Sequence, residues 1–346
     1  MVRRSAMKKL PLATPIITSS PKHTDLLSII LSDEDGYNWL YSHYVNMFFE
    51  ALVKDGIHEK FSGGFVDMGV HPKNTCCLTR HDEIRYSEIE DDIVGALIRR
   101  IDEEQYIIVR LDQYYIPASE KYRKRNKLHT TMIFGYDEVE KIFYIYDFYY
   151  EHFKAATMTY EEMKEAFLNS KQDLTLIKRN DRRYKFSLKH VLTLLKDYYY
   201  GTDHTGYHFN MEYTIQASPS YLFSVMEESG YEILYGYKST TKIVQDVCKV
   251  FPRQVLTHEI YGHKKLMVKR LEYIQKNFNA DLANEISDYK KIEKKALILR
   301  NTFLKLHMLH TELTPLNEIA DEIEAMEGNV LPRLIKKIEQ IVGEGS

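Results

Sequence analysis

Residues Leu128–Tyr150 read LHTTMIFGYDEVEKIFYIYDFYY, and the reading of this stretch decides the first half of the chain. Apolar residues around Met132–Phe134 run into Gly135-Tyr136-Asp137-Glu138, and a second apolar run, Ile142–Ile145, ends at Asp147. Strand-forming ends around turn residues predict a β-hairpin. Antiparallel pairing sets the start of one strand beside the end of the other, so His129 and Asp147 are expected to meet across eighteen positions. An imidazole beside a carboxylate is the base-and-orienter half of a Cys-His-Asp or Ser-His-Asp site. The plainer alternative is two polar residues decorating strand ends.

The same region, YIIVRLDQYYIP from Tyr106, then LHTTMIFGYD, then FYIYDFYY, resembles the N-terminal domain family of butirosin biosynthesis protein H. That family is a branch of the papain-like, C39-peptidase-like fold, and the likeness spans roughly residues 20–170. It implies that His129 is the catalytic His and Asp147 the triad Asp, and that Asp112 and Tyr114 border the cleft. It also implies a nucleophilic Cys at the N-terminus of the first long helix, where the dipole and free N–H groups lower a thiol pKa. Apolar spacing predicts that helix over Tyr37–Val53, which places Asn38 or Trp39 at the nucleophile position, where neither supplies a thiol. Cys76 and Cys77 are the substitutes within the same half, with core packing as the alternative. The later stretch FPRQVLTHEIYGHKKLMVKRLEYI resembles the helical C-terminal part of relatives encoded beside nonribosomal peptide synthetases.

The expected fold class is α+β: a papain-like domain with an antiparallel sheet and a long first helix, then a mainly α-helical domain. The expected divisions are an irregular arm or edge strand at 1–24 carrying no chemistry, a papain-like domain at 25–180 and a helical domain at 181–346. Arg80–Glu104 reads as a helix, Tyr106–Leu111 as a buried strand, and Thr159-Tyr160-Glu161-Glu162 as a capping box. Helices are further expected over Leu188–Tyr200, Ser218–Gly230, Pro252–Phe278 and Asp288–Leu309, with two short ones starting near Pro315 and Pro332.

His258-Glu259-Ile260-Tyr261-Gly262-His263 resembles a zinc-protease signature, but its histidines are five apart. That spacing turns the second away from the first by about 140° on a helix. His204 and His208, four apart around Thr205-Gly206, read as polar loop residues, so no metal is expected.

Three cysteines in 346 residues rule out a disulfide framework, and with no secretory signal or membrane-length apolar run the expectation is a cytoplasmic protein. A net charge of −3 gives no reason to expect nucleic acid. Two basic clusters, Lys121–Lys127 and Lys178–Lys189, read as solvated faces or as contacts for a phosphopantetheine arm or an acidic carrier protein. Two functions follow. One is an acyl or aminoacyl transferase-like accessory protein of nonribosomal peptide-type biosynthesis. It would act on a phosphopantetheine-linked thioester of an acyl or peptidyl carrier protein, with His129 as general base and no resident cofactor. The other is an inactive papain-like pseudoenzyme that binds a carrier protein or synthetase domain.

Overall fold

The structure is a computed structural model that describes residues 6–54, 57–66, 76–149, 152–204, 230–247 and 254–344. In chain order its elements are β1 (Met7–Lys9), α1 (Pro21–Ile30), α2 (Glu34–Ser42), β2 (Met47–Lys54), β3 (Ile57–Phe65), β4 (Thr79–Ile84), α3 (Ile93–Asp102), β5 (Gln105–Asp112), β6 (Leu128–Asp137), β7 (Ile142–Tyr149) and β8 (His152–Thr159). They continue with α4 (Tyr160–Ser170), β9 (Leu174–Arg179), α5 (Leu188–Tyr200), β10 (Gly230–Tyr235), α6 (Tyr237–Lys242), α7 (Gln254–Phe278), α8 (Ala283–Met308) and α9 (Pro315–Glu344). The fold is α+β, and among the described residues no helix is long and apolar enough to cross a membrane.

The chain divides into two compact units. The first is Met1–Pro15, Pro21–Gly36 and Cys76–Tyr184; the second is Ile16–Ser20, Tyr37–Thr75 and Lys185–Ser346. The two units part between Tyr184 and Lys185, and residues 37–75 group with the C-terminal half instead of the N-terminal one.

The first unit is built on an antiparallel sheet in the order β4-β9-β5-β6-β7-β8, with β1 continuing the edge of β6 beyond β5. Met132 through Tyr136 are buried without a break, so both faces of the sheet are covered there. On α3 the apolar stripe Ile93, Ala96, Leu97, Ile101 is buried, and each large member contributes about 1.5–3 kcal/mol. Asp92 caps this helix by accepting from the Gly95 N–H at 3.0 Å. The capping box at Thr159–Glu162 opens α4.

Residues 79–84 form a strand on β9, not the start of a helix through 104. Its burial pattern leaves only the ends of TRHDEI covered, as expected of a sheet edge.

The hairpin is present, and its register carries a one-residue shift. Asp137, Tyr136 and Gly135 pair with Ile142, Phe143 and Tyr144; then Ile133 pairs with Ile145, leaving Phe134 as an extra residue. Continuing the shifted register puts Thr131 opposite Asp147, with His129 on the same face two positions on. Without the bulge Asp147 would stand opposite Met132, on the other face, because a one-residue slip inverts every side chain. The bulge is held from the other edge of β6: the Phe134 carbonyl accepts from Leu10 N–H at 2.8 Å, and Lys9 pairs with Gly135. A Cβ on Gly135 would lie 2.6 Å from the Lys8 carbonyl oxygen and 3.0 Å from the Lys9 Cα, so the strand crossing requires glycine.

The second unit has a three-stranded antiparallel sheet, β10-β2-β3, and the helices α5 to α9. The expected long helix over Tyr37–Val53 is absent: α2 ends at Ser42 and residues 47–54 are strand β2. The unbroken apolar run around Met47–Phe49 fits either element, and pairing with two strands decides it. Tyr44, at φ 59°, breaks the helix in a left-handed conformation unusual for a non-glycine. The carbonyls freed at this helix end are taken by Arg270 of α7, which is fully buried. Its guanidinium donates to the carbonyls of Tyr41 at 2.8 Å, Tyr44 at 3.3 Å and His43.

A second buried device joins α5, α7 and α9. Lys264 Nζ donates to Glu327 Oε2 at 2.7 Å and to the Tyr198 hydroxyl at 2.6 Å, and that hydroxyl donates to the Glu327 carboxylate at 3.0 Å. All three side chains are fully buried, so the pair stands only because its hydrogen bonds are completed within the network.

Ser187 and the left-handed Gly201 bound α5 at the expected residues. Instead of two short terminal helices there is one, α9, with Pro332 inside it; the carbonyl four residues back, which the ring would crowd, belongs to Gly328. The expected helix over Ser218–Gly230 lies, apart from Gly230, outside the described residues, as do His208 and Cys248.

Two substitutions test these supports. Gly135→Ala is expected to cost about 1–3 kcal/mol and to speed hydrogen exchange at the Leu10 amide, as read by urea unfolding and amide exchange. Arg270→Met is expected to cost about 2–4 kcal/mol, since it strips donors from three buried carbonyls, with a matching fall in the urea midpoint.

Candidate functional site

His129 is the second residue of β6 and keeps 26% of its side chain exposed, while the Asp147 side chain is fully buried. The imidazole Nδ1 lies 3.0 Å from each carboxylate oxygen of Asp147. The carboxylate is fixed from two further directions. The Thr131 hydroxyl donates to Oδ2 at 3.0 Å, and the Phe148 N–H donates to Oδ1 at 2.6 Å. A carboxylate already filled by donors holds the ring with Nδ1–H toward it, which leaves Nε2 as the basic nitrogen. This is the geometry of a base and its orienter.

Helix α1 brings further buried polar side chains to the same unit. Its first two turns carry His23, Thr24, Asp25 and Ser28, all buried. Asp25 lies in the field of Asp147, which sets this helix beside the strand β7 that delivers Asp147. Burial, and then the Asp147 charge, holds the Asp25 carboxyl well above the ordinary carboxylate range. Burial, and then Lys22, holds the His23 imidazole well below its usual value. Tyr149, buried beside the dyad, has its phenol pushed up by burial and then by Asp147. Asp25 thus stands near the dyad as a carboxyl group whose charged form is disfavoured by burial and by Asp147.

Asn38 and Trp39 belong to the second unit, whereas His129 and Asp147 belong to the first. Trp39 is fully buried and stacks on His43 at 4.6 Å, and Asn38 Oδ1 accepts from the Tyr273 hydroxyl at 2.7 Å. Both have packing roles there.

Cys76 and Cys77 are in the first unit but at a far corner of its sheet. They precede β4, three strands from β6 and so about 14 Å across it. They also lie by the Gln105 end of β5, whereas His129 pairs with Leu111, about 20 Å further along the strand. Cys76 is buried, and burial pushes its thiol up to about 12, the reverse of activation. Neither cysteine reaches His129.

Asp112 has a turn-capping role. Its carboxylate accepts from Asn126 Nδ2 at 2.6 Å, Lys127 N–H at 2.8 Å and Tyr114 N–H at 3.0 Å. Burial pushes this carboxyl up, but the three donors outweigh it and hold it below the usual range. Tyr114 stacks edge-on against Tyr115 at 5.0 Å.

On α7, His263 spends Nε2 on the Val45 carbonyl at 2.7 Å, and His258 lies by Arg300. Among the described residues no three His, Cys, Asp or Glu side chains are placed to hold a metal.

The sequence reading missed α1. Its signal was present: Ser20-Pro21 is a helix-start pair, and His23-Thr24-Asp25 stand immediately ahead of the apolar run Leu26–Leu31. The expected chemistry-free arm therefore ends at Ser20, and α1 begins at Pro21.

No protein-family model matches the chain, and no curated protein matches it.

The raised Asp25 carboxyl has a consequence for stability. Unfolded, this group ionises in the ordinary carboxylate range; folded, it ionises only at higher pH, so its contribution is fully present in acid and is lost as pH rises through the folded value. Asp25→Asn, which keeps the shape of the neutral acid, is expected to be more stable than wild type near pH 8, with the gain shrinking toward pH 4. Thermal unfolding of both proteins across that range checks it; a gain independent of pH would contradict it.

Proposed function

We propose that the first unit is a papain-like, C39-peptidase-like domain. On this reading the chain is an acyl or aminoacyl transferase-like accessory protein of specialised-metabolite biosynthesis of the nonribosomal peptide type. The observation that carries it is the dyad itself: a fully buried Asp147, filled by Thr131 and Phe148, presents a partly exposed His129 with Nε2 available.

The donor is a thioester on an acyl or peptidyl carrier protein. Nε2 of His129 takes a proton from an acceptor amine or water as that group attacks the thioester carbonyl. Collapse of the tetrahedral intermediate breaks the C–S bond, and the proton passes from the imidazolium to the departing thiolate. Asp147 stabilises the imidazolium that forms between the two transfers. No thiol nucleophile enters this scheme, in keeping with the remote, buried Cys76. Thr24, in the first turn of α1, is the oxygen nucleophile to test for a covalent variant of it.

Of the described cysteines neither Cys76 nor Cys77 reaches His129, and this supports a second reading: a pseudoenzyme whose domain binds a carrier protein or synthetase domain without turnover.

Intact-mass spectrometry of a panel of aminoacyl-loaded carrier proteins, incubated with the protein, separates the two. Deacylation or transfer that falls about 10²–10⁴-fold in His129→Ala, and substantially in Asp147→Asn, is expected. Complex formation with no loss of acyl group from any carrier would select the pseudoenzyme. A Thr24→Val protein that retains turnover would establish direct attack without an acyl-enzyme.

A further inference from the structure

Between β5 and β6 the chain makes a loop, residues 113–127, that ends in Glu120-Lys121-Tyr122-Arg123-Lys124-Arg125-Asn126-Lys127. Five cations stand there against one carboxylate, in a chain whose net charge is −3. Residues 123–127 are all exposed. Of the five cations only Arg123 has a carboxylate partner among the described residues, Glu165 at 3.1 Å.

The other basic cluster is different. There Lys178 is committed to the Glu103 carbonyl at 2.8 Å, Arg179 to the Ile30 carbonyl at 2.6 Å and to Asp33, and Arg183 to Asp35 at 2.9 Å. In that cluster three cations brace the first unit and three, Arg182, Lys185 and Lys189, are exposed; in the loop four of five have no carboxylate partner among the described residues.

The loop is nevertheless held in shape. Asp112 closes its neck through Asn126, Lys127 and Tyr114, and Gln113 N–H donates to the Lys127 carbonyl at 2.9 Å. Arg123 N–H donates to the Tyr114 carbonyl at 2.9 Å, and its guanidinium lies over Tyr122 at 5.3 Å and over Tyr114 and Tyr115 at 5.5 Å. Cations on a fixed frame lose less freedom on binding than cations on a mobile one. The frame is also aimed: the neck pairs Asp112 with Leu128, and His129 follows next. Lys127 therefore precedes the imidazole by two residues, about 7 Å of extended backbone.

We infer that this loop is the anion-binding arm of the His129 site, and that Lys124, Arg125 and Lys127 hold the phosphate of a phosphopantetheine-type acyl donor while its thioester reaches Nε2. The inference rests on the acyl-transfer reading and adds to it the part of the donor that is recognised and the residues that do so. Clustered Lys and Arg suit a phosphodiester, which offers several acceptor oxygens to charge-assisted donors. At an exposed site each contact is weak, so the effect is collective and sensitive to salt.

The test is an NMR titration of the full chain with 4′-phosphopantetheine and, separately, with pantetheine, which lacks the phosphate. Wild type is expected to prefer phosphopantetheine by at least about tenfold at low salt. That preference should vanish in the triple variant Lys124→Ala/Arg125→Ala/Lys127→Ala and persist in His129→Ala. Raising the ionic strength should weaken wild-type binding of phosphopantetheine and leave pantetheine unchanged. Equal affinity for the two probes in wild type, or an unchanged preference in the triple variant, would overturn the inference. The two readings fail separately. Turnover dependent on His129 with no effect of the loop variant on KM removes the loop assignment alone; phosphate-dependent binding with no turnover of any thioester removes the acyl-transfer reading alone.

Discussion

The candidate site depends on the parity of one strand. β7 meets β6 in one register near the turn and in another beyond Phe134, and the shift brings Asp147 onto the face of His129 and Thr131. Everything chemical in the first unit follows from that extra residue, because a sheet has only two faces and no intermediate position. The carboxylate is then buried, which would be costly for an isolated charge, and the Thr131 hydroxyl, the Phe148 N–H and the imidazole offset that cost. Asp25 joins the same buried region, where burial and the Asp147 charge both favour its neutral form.

The second unit solves a different problem with a similar device. Its helix α2 ends in a buried setting, at a left-handed tyrosine where a glycine would be ordinary, and its free carbonyls have no water to turn to. Arg270 serves them from α7, 226 residues or more away in sequence. Lys264, six positions earlier on that helix, makes the other long-range polar tie, to Glu327 and Tyr198. Helix α7 thus fastens the unit through fully enclosed cations, whereas the loop before β6 turns its cations to solvent.

What was legible in the sequence had a local signature. The hairpin, the Thr159 capping box, and α5 between Ser187 and Gly201 all announce themselves within a few residues. His129 and Asp147 could be paired from the hairpin alone, although the bulge that puts them on one face leaves no mark in composition. The long first helix failed because an unbroken apolar run such as the one around Met47–Phe49 satisfies a helix and a buried strand equally; its two partner strands lie outside any sequence window. Reading one long helix there also hid α1, whose short polar opening resembles an irregular arm. The corner position of Cys76 and Cys77 was likewise invisible, since sheet order is not a local property.

The pairing of β1 with the bulge has a kinetic side. Met7 to Leu10 and Phe134 to Asp137 are separated by well over a hundred residues, so the contact that secures the bulge is among the least local in its unit. Closing so long a loop costs more entropy than closing the hairpin, and non-local pairings of this kind slow folding. During synthesis β1 must wait until β6 has emerged, more than a hundred residues later. The hairpin can zip early, but the face on which it presents Asp147 is secured only when β1 meets β6. Assembly of the dyad is thereby tied to completion of the fold, and a partly folded chain carries the residues of the site without its geometry.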